Sequence, residues 1–177
     1  MELDIQMMDS ISKLRVVQLI NKSNQFNLTT RRYTLQQIEK MDQEDDTYII
    51  QVRLKDSFGD SGIISVVICK NMGNDLVIDT WVMSCRVLGR RVEEAVIVEC
   101  SKLAKDLKCS NIVGNYIFTD RNSIVKELYR KLGFSNRVEE KSGNSTWSVI
   151  AQDILIDQLP FKTTQVKWTP SQGQFFL

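Results

Sequence analysis

The spacing of apolar residues changes from strand-like to helical at the centre of the chain. Residues 76–83 are mostly apolar, with β-branched and aromatic side chains, which predicts a buried strand. Residues 92–107 carry apolar side chains at intervals of three and four, which predicts a helix with one buried face. The turn between them, residues 84–91, contains Gly89 and three arginines. Because a helix begins with unpaired N–H groups, this turn is either a phosphate-binding loop or a solvated basic turn in which Gly89 serves only the backbone.

The same criteria predict further elements on both sides of this centre. Thr34 and Gln37 have the spacing of a capping box at the start of a short helix. Three consecutive strands joined by short turns favour an antiparallel meander. The domain is expected to end near Asp157, and the aromatic residues of a tail at 158–177 either pack on the domain or bind a partner. Strands are expected at residues 2–6, 47–54, 63–69, 111–119, 134–139 and 146–153, and helices at 11–22, 35–41 and 121–132.

Length and composition restrict the classes of function. The 177 residues suffice for one domain, and a net charge of +1 gives no general affinity for nucleic acid or an anionic membrane. Histidine is absent, which excludes histidine bases and histidine metal ligands, and the four cysteines have no C-x-x-C spacing. We therefore expect neither a metal site nor a disulfide framework. No signal peptide or membrane span is predicted, so a reduced cytoplasmic location is expected.

A polar segment, residues 21–33, interrupts the periodic elements. Its amide and hydroxyl side chains favour turns, and long polar loops of this kind often bind ligands. Two arginines in it can bind a phosphorylated or carboxylated acceptor, or can form structural ion pairs with the acidic cluster at residues 44–46. The candidate substrate-binding residues are Asn24, Gln25, Arg31, Arg32 and Tyr33.

Three residues have side chains suited to nucleophilic or proton-transfer chemistry. Cys85 lies next to Arg86 and before a helix N-terminus, which favours a thiolate; a buried structural thiol is the alternative. The Asp79 carboxylate is either a base at a cleft, or a group that faces water or binds the polar segment. Tyr129 shares a predicted helix face with Asn122 and can donate a proton from its hydroxyl, or it caps the core.

These motifs, in this order, resemble the GNAT acyltransferase superfamily. The resemblance implies an α+β fold with a mixed, mostly antiparallel twisted sheet flanked by helices. Residues 24–33, 53–62 and 83–90 are more specifically similar to the GNAT-like C-terminal domain of FkbH-like proteins. The motifs are the order of elements, the turn Arg86-Val87-Leu88-Gly89, and the segment from Asn122 through Leu128-Tyr129 to Gly133-Phe134.

The resemblance implies acyl transfer from a thioester of CoA or of carrier-protein phosphopantetheine. In this pattern the strand at 76–83 separates from the strand at 111–119 and pairs with the pantetheine, while Tyr129 protonates the leaving thiolate. The family has Gly or Ala where Arg91 stands, so this side chain either obstructs the phosphate loop or adds a phosphate contact. The residues implied to hold the cofactor are Val82, Met83, Ser84, Arg86, Val87, Leu88, Gly89, Arg90, Arg91 and Asn122.

The FkbH-like proteins also suggest partners. Their GNAT-like domain usually follows a HAD-type phosphatase domain, and the two load glyceryl groups onto an acyl carrier protein. No D-x-D-x-T-type motif occurs near the start of this sequence, so the resemblance implies the fold and a pantetheine-type ligand more directly than the glyceryl reaction. An acyl carrier protein or a HAD-type phosphatase is the expected partner. The alternatives are a non-catalytic module that docks one of them and a simple amine acetyltransferase that uses acetyl-CoA.

Overall fold

An open twisted sheet forms the centre of the protein. The computed structural model describes residues 1–164 and 168. In that part of the chain, β4 with β5 and β1 with β8 pair in parallel, and the other neighbouring strands are antiparallel. The predicted α+β fold with a mixed, mostly antiparallel sheet is therefore confirmed. The strands are β1 Glu2–Met7, β2 Thr47–Asp56, β3 Gly59–Met72, β4 Asp75–Met83, β5 Asn111–Tyr116, β6 Asn136–Glu139, β7 Ser145–Ile150 and β8 Lys162–Thr163, in the spatial order β6-β7-β5-β4-β3-β2-β1-β8.

Helices cover both faces of the sheet. They are α1 Lys13–Lys22, α2 Leu35–Asp42, α3 Val92–Asp106 and α4 Leu128–Lys131. Val16 of α1 and Ile38 of α2 are buried against one face, and Val96 of α3 is buried on the other. The predicted capping box is present, because the Thr34 hydroxyl accepts from the Gln37 N–H at 3.2 Å and the Gln37 side chain accepts from the Thr34 N–H at 2.8 Å. Within the described residues, none of the helices has the length and apolar composition needed to cross a bilayer.

The prediction of one continuous helix over residues 121–132 is wrong. The chain forms a 3-10 turn at Ser123–Val125 and then the single-turn helix α4. The cause is Asn122, whose side chain accepts from the Thr119 N–H and donates to the Ile117 carbonyl, holding the chain in a turn where a helix would start. β5 also ends earlier than predicted, because the Ile117 N–H donates to the Leu28 carbonyl at 2.8 Å instead of continuing the ladder.

β4 contains a bulge at Asp79. Ile68 pairs with Thr80 while Cys69 pairs with Ile78, so Asp79 is the extra residue. An extra residue shifts the alternation of side chains between the two faces of the sheet by one position. The bulge thus lets Asp79 face the polar segment while the residues before and after it stay buried.

β4 and β5 pair only at their N-terminal ends. Residues 75–78 pair with residues 111–114, and beyond these positions the two strands diverge. We call the space between residues 79–83 of β4 and the end of β5 the wedge. It opens toward the C-terminal end of β4, where the chain leads into α3. This separation of the two strands is the one that the resemblance implies for a pantetheine arm.

The described part of the tail lies against the domain. β8 pairs with the first residues of β1, and the side chains of Phe161 and Trp168 are partly buried against the core that contains α3. Phe175 and Phe176, the other two aromatic residues of the predicted tail, lie outside the described residues. The boundary near Asp157 stays a prediction.

Candidate functional site

The chain itself fills the wedge. Residues 26–29 run between β4 and the end of β5 as a loop with one isolated bridge, between Asn27 and Val82. The Leu28 N–H donates to the Trp81 carbonyl, and the Met83 N–H donates to the Phe26 carbonyl, both at 3.1 Å. These bonds occupy the edge of β4 that faces the wedge. The segment therefore lies where the resemblance predicts the pantetheine arm.

Asn122 fastens this segment. The side chain is fully buried, and its Nδ2 donates to the carbonyls of Asn27 at 2.9 Å and Ile117 at 2.8 Å. Its Oδ1 accepts from the Thr119 N–H at 2.9 Å and the Tyr116 hydroxyl at 3.1 Å. An amide side chain offers two donors and two acceptor lone pairs, and all of them are used here. In this conformation Asn122 binds the chain in place of the predicted pantetheine.

Tyr129 faces the core. Its ring lies against Gly114 of β5 and between Trp81 and Phe134, with centroid distances of 6.3 and 4.8 Å. The hydroxyl is buried and has no hydrogen-bond partner among the described residues. Burial raises the pKa of Tyr129 well above its ordinary value. In this conformation Tyr129 does not present its hydroxyl to a ligand at the surface.

Asp79, Arg31 and Tyr33 form one network. One Asp79 carboxylate oxygen pairs with the Arg31 guanidinium, and the other accepts from the hydroxyls of Tyr33 at 2.7 Å and Thr80 at 3.0 Å. Burial, together with the hydrogen bond to the Asp79 carboxylate, raises the pKa of Tyr33. Three residues that the sequence assigns to catalysis and acceptor binding are thus brought together, but they bind one another. This arrangement matches the predicted alternative in which the Asp79 carboxylate binds the polar segment at residues 21–33.

Arg32 ties the polar segment to the end of α1. Its guanidinium donates to the carbonyls of Ile20 and Ser23, the second at 2.9 Å, and to the Asn24 side-chain oxygen at 2.7 Å. Burial lowers the pKa of Arg32 from its usual high range. Arg32 therefore holds the loop in shape rather than extending toward a substrate.

A groove of about 810 Å³ lies beside the wedge, at the C-terminal end of β4. One wall is formed by Met83, Ser84 and Cys85, and another by Asp120, Arg121, Ser123 and Ile124. The end of α1 and residues 23–26 complete the lining. Cys85 is exposed. Of the three predicted catalytic residues, Cys85 lines this groove, whereas Tyr129 and Asp79 are turned into the protein.

The charged side chains that line the groove are mainly positive. Lys22 and Arg121 contribute positive charge, and Asp120 contributes one negative charge. Asn24 and Gln25, two of the predicted substrate-binding residues, line the same groove. An elongated ligand that carries both amide and anionic groups matches this lining.

The loop at residues 84–91 turns tightly into α3. Gly89 has φ +75°, in the left-handed region that favours glycine. The first-turn N–H groups of α3 have no intrahelical partners and remain as donors, although Glu93 and Glu94 place two carboxylates in the same turn. Three of the loop's own N–H groups donate to carbonyls inside the loop, those of Val87, Leu88 and Arg90.

Two of the three loop arginines have carboxylate partners. Arg90 pairs with Asp56 at 2.7 Å, and Arg91 pairs with Glu94 at 2.6 Å. The third, Arg86, is exposed, and its Nε donates to the neighbouring Ser84 hydroxyl at 3.3 Å. Among the described residues Arg86 therefore has no carboxylate partner, and it lines a pocket separate from the groove, together with Asp56, Asp60 and Arg90.

Substitution of Arg91 by glycine tests whether this side chain obstructs the loop. Arg91 has φ +65°, which costs a non-glycine residue about 1 kcal/mol, whereas its half-exposed ion pair with Glu94 is worth about 0–1 kcal/mol. We expect Arg91→Gly to leave the free energy of unfolding in urea unchanged or to raise it by up to about 1 kcal/mol. We also expect tighter CoA binding by the variant.

Lys108→Gly is the matched control for this substitution. Lys108 has φ +60° at the other end of α3, so the control should change stability in the same direction and leave CoA binding unchanged. Weaker CoA binding by Arg91→Gly would show that the arginine contributes a phosphate contact instead.

The ion pair between Arg90 and Asp56 predicts how acid affects stability. The Arg90 guanidinium, helped by the Phe58 N–H at 2.8 Å, holds the pKa of Asp56 below its usual value. The folded pKa is lower than the unfolded pKa of about 3.9, so the pair stabilises the fold above about pH 4 and loses its effect as the pH falls through the folded pKa. Asp56→Asn should therefore flatten the fall in melting temperature below about pH 4. The same steep fall as in wild type would contradict this, and Asp106→Asn at an exposed position is the control.

Two parts of the site were missed from the sequence. Residues 26–29 were predicted as loop, and the structure has bends there with one isolated bridge, but the sequence did not indicate that this loop fills the wedge. Residues 121–124 were placed in a helix, so the sequence did not indicate that Arg121, Ser123 and Ile124 line a groove. No pattern in the sequence links Asn122 to Asn27, because that contact depends on the tertiary fold.

Comparison of the chain with protein-family models and with curated proteins gives no match. Solved structures do match. The PaiA N-acetyltransferase from Thermoplasma acidophilum, in complex with coenzyme A, has a TM-score of 0.66 at 12% identity, over 85% of this chain and 99% of that one. Spermidine N-acetyltransferase from Vibrio cholerae, in complex with CoA and spermine, has a TM-score of 0.63 at 11% identity, over 86% and 98% of the two chains.

A third match names the family of its protein. The acetyltransferase of GNAT family from Streptococcus pneumoniae has a TM-score of 0.62 at 14% identity, over 84% of this chain and 99% of that one. At such identities the likeness concerns the fold. The predicted architecture and these matches agree, and the fold of this chain is that of the GNAT N-acetyltransferases.

Proposed function

We propose that this protein transfers an acyl group from a thioester bound in the groove, and that Cys85 is the thiol that receives the acyl group. The observation that carries the proposal is the groove itself, whose lining includes Met83 at the end of β4, Ser84 and Cys85 of the loop, and Asp120, Arg121, Ser123 and Ile124. Cys85 is exposed there. Two matched proteins of the same fold were solved with coenzyme A, which supports a CoA-type thioester as the donor.

The residues fit the phosphate-bearing end of such a donor, but the wedge does not fit its pantetheine arm. The groove offers amide side chains and the positive charges of Lys22 and Arg121, and Arg86 and the first turn of α3, which do not line the groove, offer a further positive charge and N–H groups. The wedge does not fit the arm, because residues 26–29 and Asn122 already use the hydrogen-bonding groups there. We therefore place the thioester in the groove and assign no step to the wedge.

Thiol–thioester exchange at Cys85 balances without another reagent. The Cys85 thiolate attacks the thioester carbonyl carbon, a new C–S bond forms, and the bond to the donor sulfur breaks. The donor leaves as a thiolate and takes a proton from water. An acceptor hydroxyl, amine or thiol then attacks the acyl group on Cys85 and restores the thiol. The sequence contains no histidine, so water takes the proton of the Cys85 thiol.

The resemblance to FkbH-like proteins supports a more specific proposal for the acyl donor and for the partner protein. That resemblance favours a thioester on carrier-protein phosphopantetheine over free acetyl-CoA. Lys22 and Arg121 in the groove lining suit the approach of an acidic carrier protein. A HAD-type phosphatase remains the second expected partner, and a cytoplasmic location remains an expectation.

Intact-mass spectrometry tests the transfer step. The full chain is incubated with acetyl-CoA and, separately, with an acetylated holo carrier protein. We expect the mass of one acetyl group on wild type and on Cys109→Ser, whose thiol is buried at the other end of the sheet, and none on Cys85→Ser. Acetylation that survives in Cys85→Ser would contradict the role of Cys85.

A second candidate is a non-catalytic module that binds the same thioester carrier. The filled wedge and the inward Tyr129 favour it, because both remove parts that direct transfer would use. This candidate predicts binding of CoA or holo carrier protein without any transfer of the acyl group to the protein or to an added amine. Binding with transfer favours the acyltransferase.

A further inference from the structure

We propose that residues 26–29 are a fixed stop that closes the wedge, so that the reactive end of a thioester in the groove comes to rest beside residues 83–85. The identity of the ligand in this inference rests on the proposed function. The stop itself can be tested on the protein without any ligand. It assigns a positioning role to a segment that the sequence presents as part of a polar loop.

Backbone bonds hold the segment on both sides. Toward β4, the Leu28 N–H and the Phe26 carbonyl are bonded to Trp81 and Met83. On the opposite side, the Leu28 carbonyl accepts from the Ile117 N–H at 2.8 Å. The segment thus continues the hydrogen-bonding pattern of the sheet across the gap that the diverging strands leave.

Side chains fasten the same residues at four further points. Asn122 donates to the Asn27 carbonyl at 2.9 Å, and the Asn27 side chain donates to the Ser23 carbonyl at 3.1 Å. The Asn27 Oδ1 in turn accepts from the Thr30 N–H at 2.8 Å. The Thr29 hydroxyl donates to the Asp79 carbonyl at 2.9 Å. Withdrawal of the segment would leave polar groups of the protein interior without partners.

Packing adds to this attachment. Phe26, Asn27 and Leu28 are each at least 96% buried. The Phe26 ring meets the Trp81 ring edge-on, with a centroid distance of 6.0 Å. Movement of the segment out of the wedge would expose these side chains and leave a cavity against Trp81. A segment with this many bonds and this much burial belongs to the stable part of the fold rather than to a lid.

The stop has two consequences for the site. Phe26 lines the groove, so the inner end of the groove is closed and a ligand arm cannot pass between β4 and β5. The reactive carbon of the arm then lies near Met83, Ser84 and Cys85, which line the groove together with Phe26.

Amide hydrogen exchange tests the stop in two arms. In the free full chain, we expect the Leu28 and Ile117 amides to exchange within about tenfold of the rates at Val66 and Val67 in the centre of the sheet. Exchange at Leu28 and Ile117 that is more than about a hundredfold faster would overturn the inference, whatever the ligand does.

The second arm adds CoA at saturation, with the melting temperature recorded on the same samples. A raised melting temperature with unchanged exchange at Leu28 and Ile117 supports a stop that stays in place while the ligand binds. A raised melting temperature with faster exchange at these two amides overturns it, because the segment then leaves when the arm enters. If CoA leaves the melting temperature unchanged, the proposed CoA ligand fails, and the free-protein arm still decides the stop.

Discussion

Gly114→Ala should destabilise the protein by about 3 kcal/mol or more, through a clash with one side chain. A Cβ at Gly114 would lie 2.2 Å from Cζ and 2.3 Å from one Cε of Tyr129. The ring has no room to move, because Trp81 and Phe134 enclose it. Gly114 does not have a positive φ, so the cost comes from space and not from backbone strain. Urea unfolding measures it.

A double-mutant cycle separates the clash from other effects of the substitution. With Tyr129→Ala the ring is absent, so adding Gly114→Ala should cost less than about 1 kcal/mol, a coupling of about 2 kcal/mol or more. If the losses of stability from the two substitutions simply add, the contact between Gly114 and Tyr129 is contradicted.

Tyr129→Phe is the accompanying variant. It removes a buried hydroxyl that has no partner among the described residues, so it should leave the fold as stable as wild type or up to about 1 kcal/mol more stable.

Tyr129→Phe also bears on mechanism. If Tyr129 were the general acid, this variant would lose most of the transfer rate while remaining folded. Because the hydroxyl is turned into the core, we expect Tyr129→Phe to retain acylation of Cys85.

Asn122→Ala should destabilise the protein by about 3–5 kcal/mol. The substitution leaves two donors and two acceptors without their partner, among them the Asn27 carbonyl of the stop and the Thr119 N–H. The free energy of unfolding from urea titration measures the loss. If Asn122 served only to hold a pantetheine arm, the variant would bind CoA weakly but unfold like wild type.

Asn115→Ala is the control for Asn122→Ala. Asn115 lies on the neighbouring strand β5, and its side-chain oxygen accepts one exposed hydrogen bond from the Thr146 hydroxyl at 3.1 Å. We expect a change within about 0.5 kcal/mol. A loss for Asn122→Ala no larger than that of the control would contradict the structural role of Asn122.

Local patterns in the sequence predicted most of the fold. The buried stripe of α3, the capping box of α2 and the strands of the meander depend on residues close together in the chain, so their spacing is sufficient evidence. The helix at residues 121–132 failed because Asn122 forms hydrogen bonds that no helical periodicity describes. The bulge at Asp79 was also invisible, since the neighbouring side chains alternate in sequence as they would in a regular strand.

The site was less predictable than the fold because its contacts join distant parts of the chain. Arg31 was expected either to bind an acceptor or to pair with the cluster at residues 44–46, and it pairs with Asp79 instead. Asn122 was expected at a ligand and binds Asn27. In both cases the sequence identified a residue with a specific polar partner, and only the fold could supply the identity of that partner.

The central claim is that the groove at the end of β4 binds a pantetheine-borne thioester, and both candidate functions require it. The most direct test is the melting temperature with CoA, free phosphopantetheine and holo carrier protein. Ser123→Trp fills the groove at an exposed wall position, and Ser135→Trp is the control at an exposed position outside the groove. At about 100 times its dissociation constant, a ligand should add about 2.7 kcal/mol of stability. We predict this gain with at least one of the three ligands for wild type and Ser135→Trp and its loss for Ser123→Trp. No gain with any ligand, or the full gain in Ser123→Trp, would contradict the account.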